Sequence, residues 1–313
     1  MPEPVLALDL GGTKIRAALV HDADVNHPSD TPRLEGVAEV PTPAAAGATA
    51  ILEAALDLAE RVRGGADLRA VGLSSAGVID GAAGTVTHAT SSLTGWAGTD
   101  VRTPFTERFA VPVAVLNDVH AHGLGEARFG TGRGRSSLLL VAVGTGIGGA
   151  LAVDGRILAG ARGAAGHVGH LPVPEAEGVP CPCGRTGHLE GLASGPGIVR
   201  LAHRLGADGS LADGRALVAE AARADGPARR ACRIAGRATG RAVGALANVL
   251  DPEAVALTGG VAEAGPLWHE AVAEGLALEA MDVVATLPVL PASAGSHAAL
   301  LGAAARALDE LTP

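Results

Sequence analysis

The sequence predicts an α/β protein, because its apolar segments alternate between strand and helix periodicity along the whole chain. Two similar units each consist of an apolar strand, a glycine-rich turn and a second apolar strand, at residues 5–20 and 138–153. This repetition predicts two related halves. The length of 313 residues also suits two domains better than one.

The elements of the first half follow from apolar runs and the residues that end them. The run Val5–Leu10 meets Gly11-Gly12-Thr13-Lys14, and a second run, Ile15–Val20, follows, which predicts a hairpin and not a helix start. Helical spacing of apolar residues predicts a helix over 48–63, ended by two glycines. Further strands are predicted at 71–73 and 113–116, with a helix over about 103–109 between them.

The second half repeats the strand, turn and strand pattern from Leu138 onward, with its turn at Gly144–Gly149. Ala- and Arg-rich sequence over 196–250 predicts helices with a break at 206–209. A strand is predicted at 254–257, ending in Thr258-Gly259-Gly260 and followed by a helix. A last Ala/Leu-rich helix is predicted over about 298–311.

Composition excludes several classes of protein. Hydrophobic residues make up 48% and charged residues 18%, which is typical of a globular protein. With 2% aromatic residues, no Tyr and a net charge of −9, the chain is a poor candidate for nucleic-acid binding. The uncharged run at 136–153 contains four glycines, which favours two strands over a membrane helix. MPEPVLALDL lacks the basic region of a signal peptide, so we expect a cytoplasmic protein with no membrane partner.

Histidines and cysteines cluster in one glycine-rich stretch of the second half. GAAGHVGH contains His167 and His170, and CPCGRTGHLE follows with Cys181, Cys183 and His188. Three cysteines cannot form a disulfide framework, so the close cysteine pair indicates a metal site in a reducing compartment. For the two histidines, three interpretations stay open at this point: metal ligands, substrate contacts or incidental polar residues. Cys232 is predicted to be a buried small side chain.

Three glycine turns follow strands, after Asp9, at Gly144 and at Gly259. Such turns let backbone N–H groups approach phosphate oxygens, although each one alone is also typical of an ordinary tight hairpin. None matches a P-loop or a dinucleotide motif. The pair Asn117-Asp118 also has two interpretations, a helix N-cap or a catalytic carboxylate at a strand end.

In their order and rough spacing, LDLGGTK, ND, VGTGIGG and LTGG resemble the motifs of sugar kinases with an actin-like ATPase fold. GAAGHVGH and CPCGRTGHLE resemble the signature of one branch, the ROK family, and the likeness spans nearly the whole chain. The resemblance implies an actin-like ATPase (ribonuclease H-like) fold with two domains around a nucleotide and sugar cleft. We expect a small domain of residues 1–118, on which the helix at about 298–313 packs. A large domain of residues 119–297 would bear a zinc loop at 163–190.

The resemblance also implies ATP and Mg²⁺ as cofactors and assigns residues to them. The first turn would serve the phosphates and Mg²⁺ through Asp9, Gly11, Gly12, Thr13 and Lys14. The second turn would bind the γ-phosphate side through Gly144, Thr145, Gly146 and Gly148, up to Gly149. Gly259 and Gly260 would lie against the adenosine. Asp118 would be the general base that accepts the proton of the attacking sugar hydroxyl.

The sugar contacts implied by the family are Gly77, Ser92, Asn117, Asp118, His167, His170 and Glu190. Ser92 stands where the family usually has Asn. The zinc ligands would be His170, Cys181, Cys183 and, in place of a third cysteine, His188. Four protein ligands leave no open position, so the zinc would be structural. The alternative is that His188 does not bind and the site is weak or empty.

His167 stands where hexokinase-type members of the family have Glu. Imidazole can donate an N–H to an amide oxygen, which favours a 2-acetamido sugar, and the stretch is most similar to bacterial N-acetylmannosamine kinases. The first hypothesis is therefore ATP-dependent 6-phosphorylation of N-acetylmannosamine. Glucose, N-acetylglucosamine or another amino sugar stays open, because one contact discriminates by only about 1–3 kcal/mol. So does polyphosphate as the donor, and a homodimer is expected from the family.

Two other classes of protein are alternatives to a kinase. A sugar-responsive ROK regulator would carry an N-terminal helix-turn-helix domain, whereas the first phosphate motif here begins at Val5. A zinc module for nucleic acid is suggested by CPCG alone. The acidic net charge and the scarcity of aromatic residues disfavour it.

Overall fold

A computed structural model describes residues 3–21, 32–90, 93–208, 211 and 213–311. Strands and helices alternate along the described chain. The strands are β1 Val5–Leu10, β2 Lys14–His21, β3 Arg33–Pro41, β4 Ala70–Ser75, β5 Val78–Asp80, β6 Thr85–His88, β7 Val113–Asn117, β8 Ser137–Val143, β9 Ile147–Val153, β10 Arg156–Ile157, β11 Val255–Thr258 and β12 Val289–Pro291. The helices are α1 Ala48–Arg63, α2 Arg102–Phe109, α3 Asp118–Phe129, α4 Leu189–Ala193, α5 Gly195–Arg204, α6 Gly214–Arg223, α7 Pro227–Leu250, α8 Pro266–Glu279 and α9 Ala298–Asp309.

Two five-stranded sheets share one topology. Their strand orders are β3-β2-β1-β4-β7 and β10-β9-β8-β11-β12. In the first sheet, β1 pairs antiparallel with β2 and parallel with β4, and in the second, β8 pairs parallel with β11. The predicted duplication of the strand, turn and strand unit is therefore present as two sheets of equivalent strand order.

The chain divides into two compact units. The first comprises residues 1–137, 150–165 and 293–313, and the second comprises 138–149 and 166–292. Helix α3 and the last helix, α9, thus belong to the first unit. These units differ in extent from the predicted domains, so the boundaries at residues 118 and 297 stay a prediction.

In the first unit, helices pack on both faces of the sheet. Side chains of α1 and α2 join those of β1, β2 and β4 in one apolar core, and α9 covers Val5 and Ala7 on the other face. Helix α9 also packs closely against α3. A Cβ on Gly302 would lie only 1.8 Å from the carbonyl oxygen of Ala121, so this approach requires glycine.

In the second unit, the core lies between the β8–β11 pair and the helices α4 to α8. Trp268 is completely buried there, and Cys232 on α7 is 1% exposed, which confirms the prediction of a buried small side chain. No helix within the described parts of the chain has both the length and the apolar character needed to span a bilayer.

Most predicted elements are confirmed, and a few are corrected. The first hairpin, α1 and α9 lie where the sequence predicts them, and α1 ends at Gly64, which adopts the left-handed conformation of a helix cap. The predicted helical segment 196–250 is interrupted a second time, between Arg223 and Pro227, because Gly226 begins a new helix there. Strand β3 and helix α3 were not predicted.

Candidate active site

In the first unit, Asp9 lies near the end of β1, and each of its carboxylate oxygens accepts a hydrogen bond. Ser74 Oγ donates to Oδ1 at 2.8 Å, and Arg16 Nη2 lies 3.3 Å from Oδ2. The Asp9 side chain is 12% exposed, so its charge sits in a partly desolvated environment next to one cation.

The first glycine turn, Gly11–Thr13, connects β1 to β2. It is fixed by the bond from Gly11 N to the carbonyl oxygen of Lys14 and by the hydroxyl of Thr42, which donates to Gly11 O at 2.7 Å. A Cβ on Gly12 would have open space around it, so packing within the described chain does not explain this glycine. Lys14 is exposed, and its Nζ pairs with Glu39 at 2.9 Å.

Asn117 ends β7 and caps α3. Its Oδ1 accepts from the backbone N–H groups of Val119 and His120, which is the N-cap arrangement that the sequence offered as one interpretation. Its Nδ2 donates to the carbonyl oxygen of Gly77 at 2.9 Å. Gly77 has φ +99°, and a Cβ there would lie 2.7 Å from His88 O, so the loop that carries it requires glycine.

Asp118 is the first residue of α3, since Asn117 is the N-cap of that helix. Asp118 Oδ1 accepts from Val119 N at 2.9 Å and from Asn117 Nδ2 at 2.8 Å. Burial, with a smaller contribution from the negative charge of Asp9, raises the pKa of Asp118 to about 6, against the lowering effect of these hydrogen bonds. The carboxylate is thus poised to exchange a proton near neutral pH.

The remaining predicted residues belong to the second unit. The second glycine turn, Gly144–Gly146, connects β8 to β9, and its exposed residues are Thr145 and Gly146. Glu190, on the first turn of α4, accepts a hydrogen bond on Oε2 from Ile147 N at 2.8 Å. A Cβ on Gly146 would lie 2.9 Å from that same oxygen, so glycine lets the carboxylate come close to the turn.

The third glycine turn, Gly259-Gly260, follows β11. Gly259 has φ +92°, and a Cβ there would lie 2.4 Å from Val143 O at the end of β8. A Cβ on Gly260 would meet open space, as it would on Gly144. The second and third glycine turns are therefore neighbours in this unit, joined also by the bond from Val261 N to Val143 O. Such turns suit close approach by phosphate oxygens.

The four predicted zinc ligands form a compact cluster. His170, Cys181, Cys183 and His188 offer ligand atoms that all lie within 4.8 Å of one another. Cys181 Sγ is 3.7 Å from His170 Nδ1, and Cys183 Sγ is 3.3 Å from His188 Nδ1. Tetrahedral zinc with ordinary Zn–S and Zn–N bond lengths separates neighbouring ligand atoms by roughly 3.3–3.8 Å. The four residues therefore fit a closed structural zinc site.

The pKa shifts within the cluster act in different directions. Burial raises the pKa of the Cys181 thiol, which opposes the thiolate form that a metal binds, whereas the shifts of His170 and Cys183 favour metal binding. Burial lowers the pKa of His170, which keeps the imidazole neutral and able to bind a metal. The backbone N–H of Arg185 lowers the pKa of the Cys183 thiol. When bound, zinc would hold the loop in one conformation, and it supplies no chemistry to a substrate because no ligand position is open.

His167 lies beside this cluster but is not one of its four members. It is exposed, and its ring stacks on that of His170 with 6.0 Å between centroids. Within the cluster, the rings of His170 and His188 make an edge contact, with 5.4 Å between their centroids. The two histidines of GAAGHVGH are thus separated into one ligand candidate and one exposed side chain.

Two residues that contact Asp9, Ser74 and Arg16, were not predicted from the sequence. Ser74 could have been found, because it is a hydroxyl in the otherwise apolar strand β4. Arg16 could have been found from the hairpin, since it faces Asp9 across it. Ser92 lies outside the described residues.

The fold places the protein among the actin-like ATPases. Over 98% of the chain it superposes on 99% of a ROK hexokinase from Thermus thermophilus, with a TM-score of 0.84 and 33% identity. A ROK glucokinase from Streptomyces griseus, solved in complex with glucose and AMPPNP, matches over 98% of this chain and 99% of its own, with a TM-score of 0.80 and 29% identity.

The chain belongs to the ROK family, whose family model matches residues 5–310. It is 31% identical to a glucokinase from Halalkalibacterium halodurans, over 83% of this chain and 81% of that protein. It is 32% identical to an N-acetylmannosamine kinase from Citrobacter koseri, over 82% of this chain and 83% of that protein.

Proposed function

We propose that the protein is an ATP-dependent hexose kinase that phosphorylates the 6-hydroxyl of N-acetylmannosamine or a related hexose. The observation that carries this proposal is the Asp118 carboxylate, which directly follows strand β7 as the first residue of α3 and whose pKa is raised to about 6 by burial and by the negative charge of Asp9. The names of the relatives support it, since they are sugar kinases for glucose and for N-acetylmannosamine. The relative bound to glucose and AMPPNP supports ATP as the donor.

In this mechanism, Asp118 orients the sugar hydroxyl and accepts its proton as the phosphoryl group is transferred. A base with a pKa near 6 is almost fully ionised at pH 7.5, yet it is more basic than an ordinary Asp. Phosphoryl transfer depends mainly on alignment and charge neutralisation, so the bonds that Asn117 and Val119 make to Asp118 matter for its orientation.

The glycine turns bind the nucleotide in this proposal. The first turn and Lys14 would bind phosphates, the second turn the γ-phosphate side and the third turn the adenosine. Asp9 would hold Mg²⁺, which neutralises charge on the phosphates when bound. The open space around Gly12, Gly144 and Gly260 supports this assignment, because backbone N–H groups there stay accessible to an anion.

The sugar contacts in this proposal are those that the family resemblance implies, namely Gly77, Ser92, Asn117, Asp118, His167, His170 and Glu190. Zinc at His170, Cys181, Cys183 and His188 would keep the 163–190 loop in place. His167 supports an acetamido sugar over an unsubstituted hexose, because its exposed ring is able to donate to a carbonyl oxygen. Glucose and N-acetylglucosamine are the alternative substrates.

The test is a product assay over a panel of sugars with MgATP. N-acetylmannosamine, N-acetylglucosamine, mannose and glucose are each incubated with the enzyme, and ADP and the sugar phosphate are quantified by coupled assay and mass spectrometry. A parallel arm replaces ATP by polyphosphate and measures the sugar phosphate directly. Asp118→Asn is the matched control, since it preserves size and both hydrogen bonds to Oδ1.

We expect turnover of N-acetylmannosamine with ATP and none with Asp118→Asn. Turnover of glucose but not of N-acetylmannosamine would reject N-acetylmannosamine as the substrate and would leave the proposed hexose kinase activity standing. Absence of turnover with every sugar and both donors would reject the kinase and favour a sugar-binding regulator. The expectations of a homodimer and of a cytoplasmic location belong to the same proposal, and light scattering on the purified protein tests the first.

A further inference from the structure

Arg16 lies directly beside Asp9 in the first sheet. The register pairs Asp9 with Arg16 on β2 and with Ser74 on β4. Residues paired in register on adjacent strands project from the same face of a sheet. The three polar side chains thus form one row across three strands, which we call the Asp9 row.

The Asp9 row lies on the face of the sheet that α9 covers. Val5 and Ala7 on β1, with Ala18 and Val20 on β2, contact α9, and strand alternation puts Asp9 and Arg16 on that same face. Arg16 Nη1 donates to the carbonyl oxygen of Ser296 at 2.6 Å, just before α9 begins. One guanidinium therefore joins Asp9 to the segment that leads into α9.

These contacts restrict the Asp9 carboxylate. Ser74 occupies Oδ1 and Arg16 occupies Oδ2, so rotation about the side-chain bonds would break at least one contact. The arginine is itself held, because its other terminal nitrogen is bonded to a backbone oxygen. The Arg16 side chain is 20% exposed, so the pairing is weakly screened by solvent.

Stability alone is a poor explanation for this arginine. Burying an ion pair costs desolvation that its attraction only partly offsets, and apolar side chains of similar volume often stabilise a protein as well. In addition, Arg16 Nε is buried without a hydrogen-bond partner among the described residues. An unsatisfied buried donor adds a further cost.

We propose that Arg16 is a positioning residue of the phosphoryl-transfer site, which holds the Asp9 carboxylate in one orientation and balances its charge. This inference rests on the proposed function, in which Asp9 serves Mg²⁺ and the nucleotide phosphates. Phosphoryl transfer is sensitive to misplacement of the groups that align the phosphates. Arg16 acts through Asp9 and touches neither substrate.

The first experiment compares Arg16→Met, Arg16→Lys and Arg16→Gln with wild type in steady-state kinetics. Arg16→Met fills a similar volume without donors, and we expect its kcat to fall ~10-fold or more while the hexose KM changes by less than ~3-fold. Arg16→Lys retains the cation, and we expect it to recover most of the lost kcat. If Arg16→Met does not fold, kcat and the hexose KM of Arg16→Gln, which keeps one donor group, are compared with those of wild type instead.

Arg33→Gln is the matched control. Arg33 lies on β3 of the same sheet, is exposed and pairs with Glu35 at the surface. The substitution removes the same charge from the same sheet, and we expect unchanged kinetics. Wild-type kcat in Arg16→Met, or an equal loss in Arg33→Gln, would overturn the inference. Loss of thermal stability in Arg16→Met without loss of kcat would also overturn it, since that result describes a purely structural residue.

A second measurement separates this inference from the proposed function. MgADP affinity is measured by calorimetry for wild type, Arg16→Met, Asp9→Asn and the double variant. If Arg16 acts through Asp9, its substitution changes affinity in the wild-type background and by less than ~2-fold in the Asp9→Asn background. Additive effects in the two backgrounds would overturn the inference. This cycle stays informative if wild type binds MgADP but phosphorylates no hexose, a result that rejects the proposed function alone.

Discussion

Glu190 Oε2 accepts a hydrogen bond from the backbone N–H of Ile147, at 2.8 Å. This bond connects a predicted sugar contact on α4 to the end of the second glycine turn, where the γ-phosphate side of the nucleotide is proposed to bind. Glu190 is therefore proposed to contact the hexose, and it also holds the turn that is proposed to bind the nucleotide. A change at Glu190 is expected to affect both substrates, and the two effects are separable by choice of variant.

Glu190→Ala should raise the KM of MgATP by ~5-fold or more as well as that of the hexose, because Ile147 N loses its acceptor. Glu190→Gln keeps an acceptor oxygen, so the MgATP KM should stay within ~2-fold of wild type while the hexose KM rises. Steady-state kinetics with both substrates varied measures this. Glu177→Ala, at an exposed acidic residue of the same loop, is the control. Equal MgATP KM values for Glu190→Ala and Glu190→Gln would contradict the prediction.

The pH dependence of the reaction should report Asp118. Its pKa is raised to about 6, and the base works only when ionised, so activity is retained above that pH and lost below it. We expect kcat/KM to fall about tenfold per pH unit below pH 6, with a single ionisation. Thermal denaturation at each pH controls for unfolding. A profile that stays flat down to pH 5 would show that Asp118 is not the base.

The ionised Asp118 carboxylate should lower the free energy of unfolding at neutral pH. Its folded-state pKa of about 6 lies above the ordinary value of 3.8, so the folded state binds the proton more tightly than the unfolded state. This group therefore favours folding at pH below about 4, and that contribution is lost as pH rises through 6. Asp118→Asn removes the charge and retains acceptor Oδ1.

We expect Asp118→Asn to raise the free energy of unfolding by ~1–3 kcal/mol at pH 7.5, with a much smaller gain at pH 4.5. Urea denaturation of wild type and variant at the two pH values measures the difference. Asp57→Asn, on α1 and away from the site, is a control for loss of one negative charge. Destabilisation by Asp118→Asn at pH 7.5 would contradict the expected penalty.

The first glycine turn shows how far sequence alone reaches in this protein. A glycine pair between two apolar runs predicted the hairpin of β1 and β2, and the same pattern predicted β8 and β9. Local rules are sufficient there because the turn and the strand periodicity agree. The α/β class followed from the alternation of strand and helix patterns and the two related halves from these repeats, whereas the assignment to actin-like ATPases needed the family motifs.

Strand β3 was not predictable by the same rules. Its sequence RLEGVAEVP carries two glutamates, an arginine and a glycine, and most of its residues are exposed. It is an edge strand that forms by pairing with β2. Its stability therefore comes from contacts with another strand, and its own sequence carries no local signal for a strand. The break before α7 was not predicted, because Asp225-Gly226 lies within the Ala- and Arg-rich stretch that favours helix on both sides of it.

In the site, sequence predicted individual residues better than their partners. The family resemblance implied the four ligands of the zinc cluster, and their ligand atoms lie together. The bond from Glu190 to Ile147, by contrast, joins residues 43 positions apart and involves a backbone donor. No pattern of side chains carries information about such a contact.

The zinc cluster should bind one zinc ion per chain through all four side chains. Cys183→Ser and His188→Ala should each lower the zinc content measured by atomic emission, whereas His188→Cys should retain it because thiolate replaces imidazole. Cys232→Ser, at the buried cysteine of α7, is the control and should keep its zinc. Full zinc content in His188→Ala would show that His188 is not a ligand.

Removal of zinc from the wild-type protein should affect sugar binding more than chemistry. The cluster lies in the second unit, where bound zinc would fix the loop between His167 and Glu190. Asp9 and Asp118 belong to the first unit. We expect a chelator to raise the hexose KM ~10-fold or more with a smaller change in kcat, and to lower the melting temperature. Re-addition of zinc should reverse both effects, and unchanged kinetics in zinc-free protein would contradict this.

His167 provides the sharpest test of substrate choice. It is exposed, stacks on His170 and stands outside the four-ligand cluster, so its substitution should leave zinc in place. His167→Glu replaces a ring that can donate to an amide oxygen by a carboxylate that only accepts from hydroxyls. We therefore expect kcat/KM to shift toward glucose relative to N-acetylmannosamine by about 10-fold, within the discrimination of one contact. His167→Gln, which retains a donor, should shift the ratio less. An unchanged ratio in both variants, at full zinc content, would mean that His167 does not contact the 2-substituent.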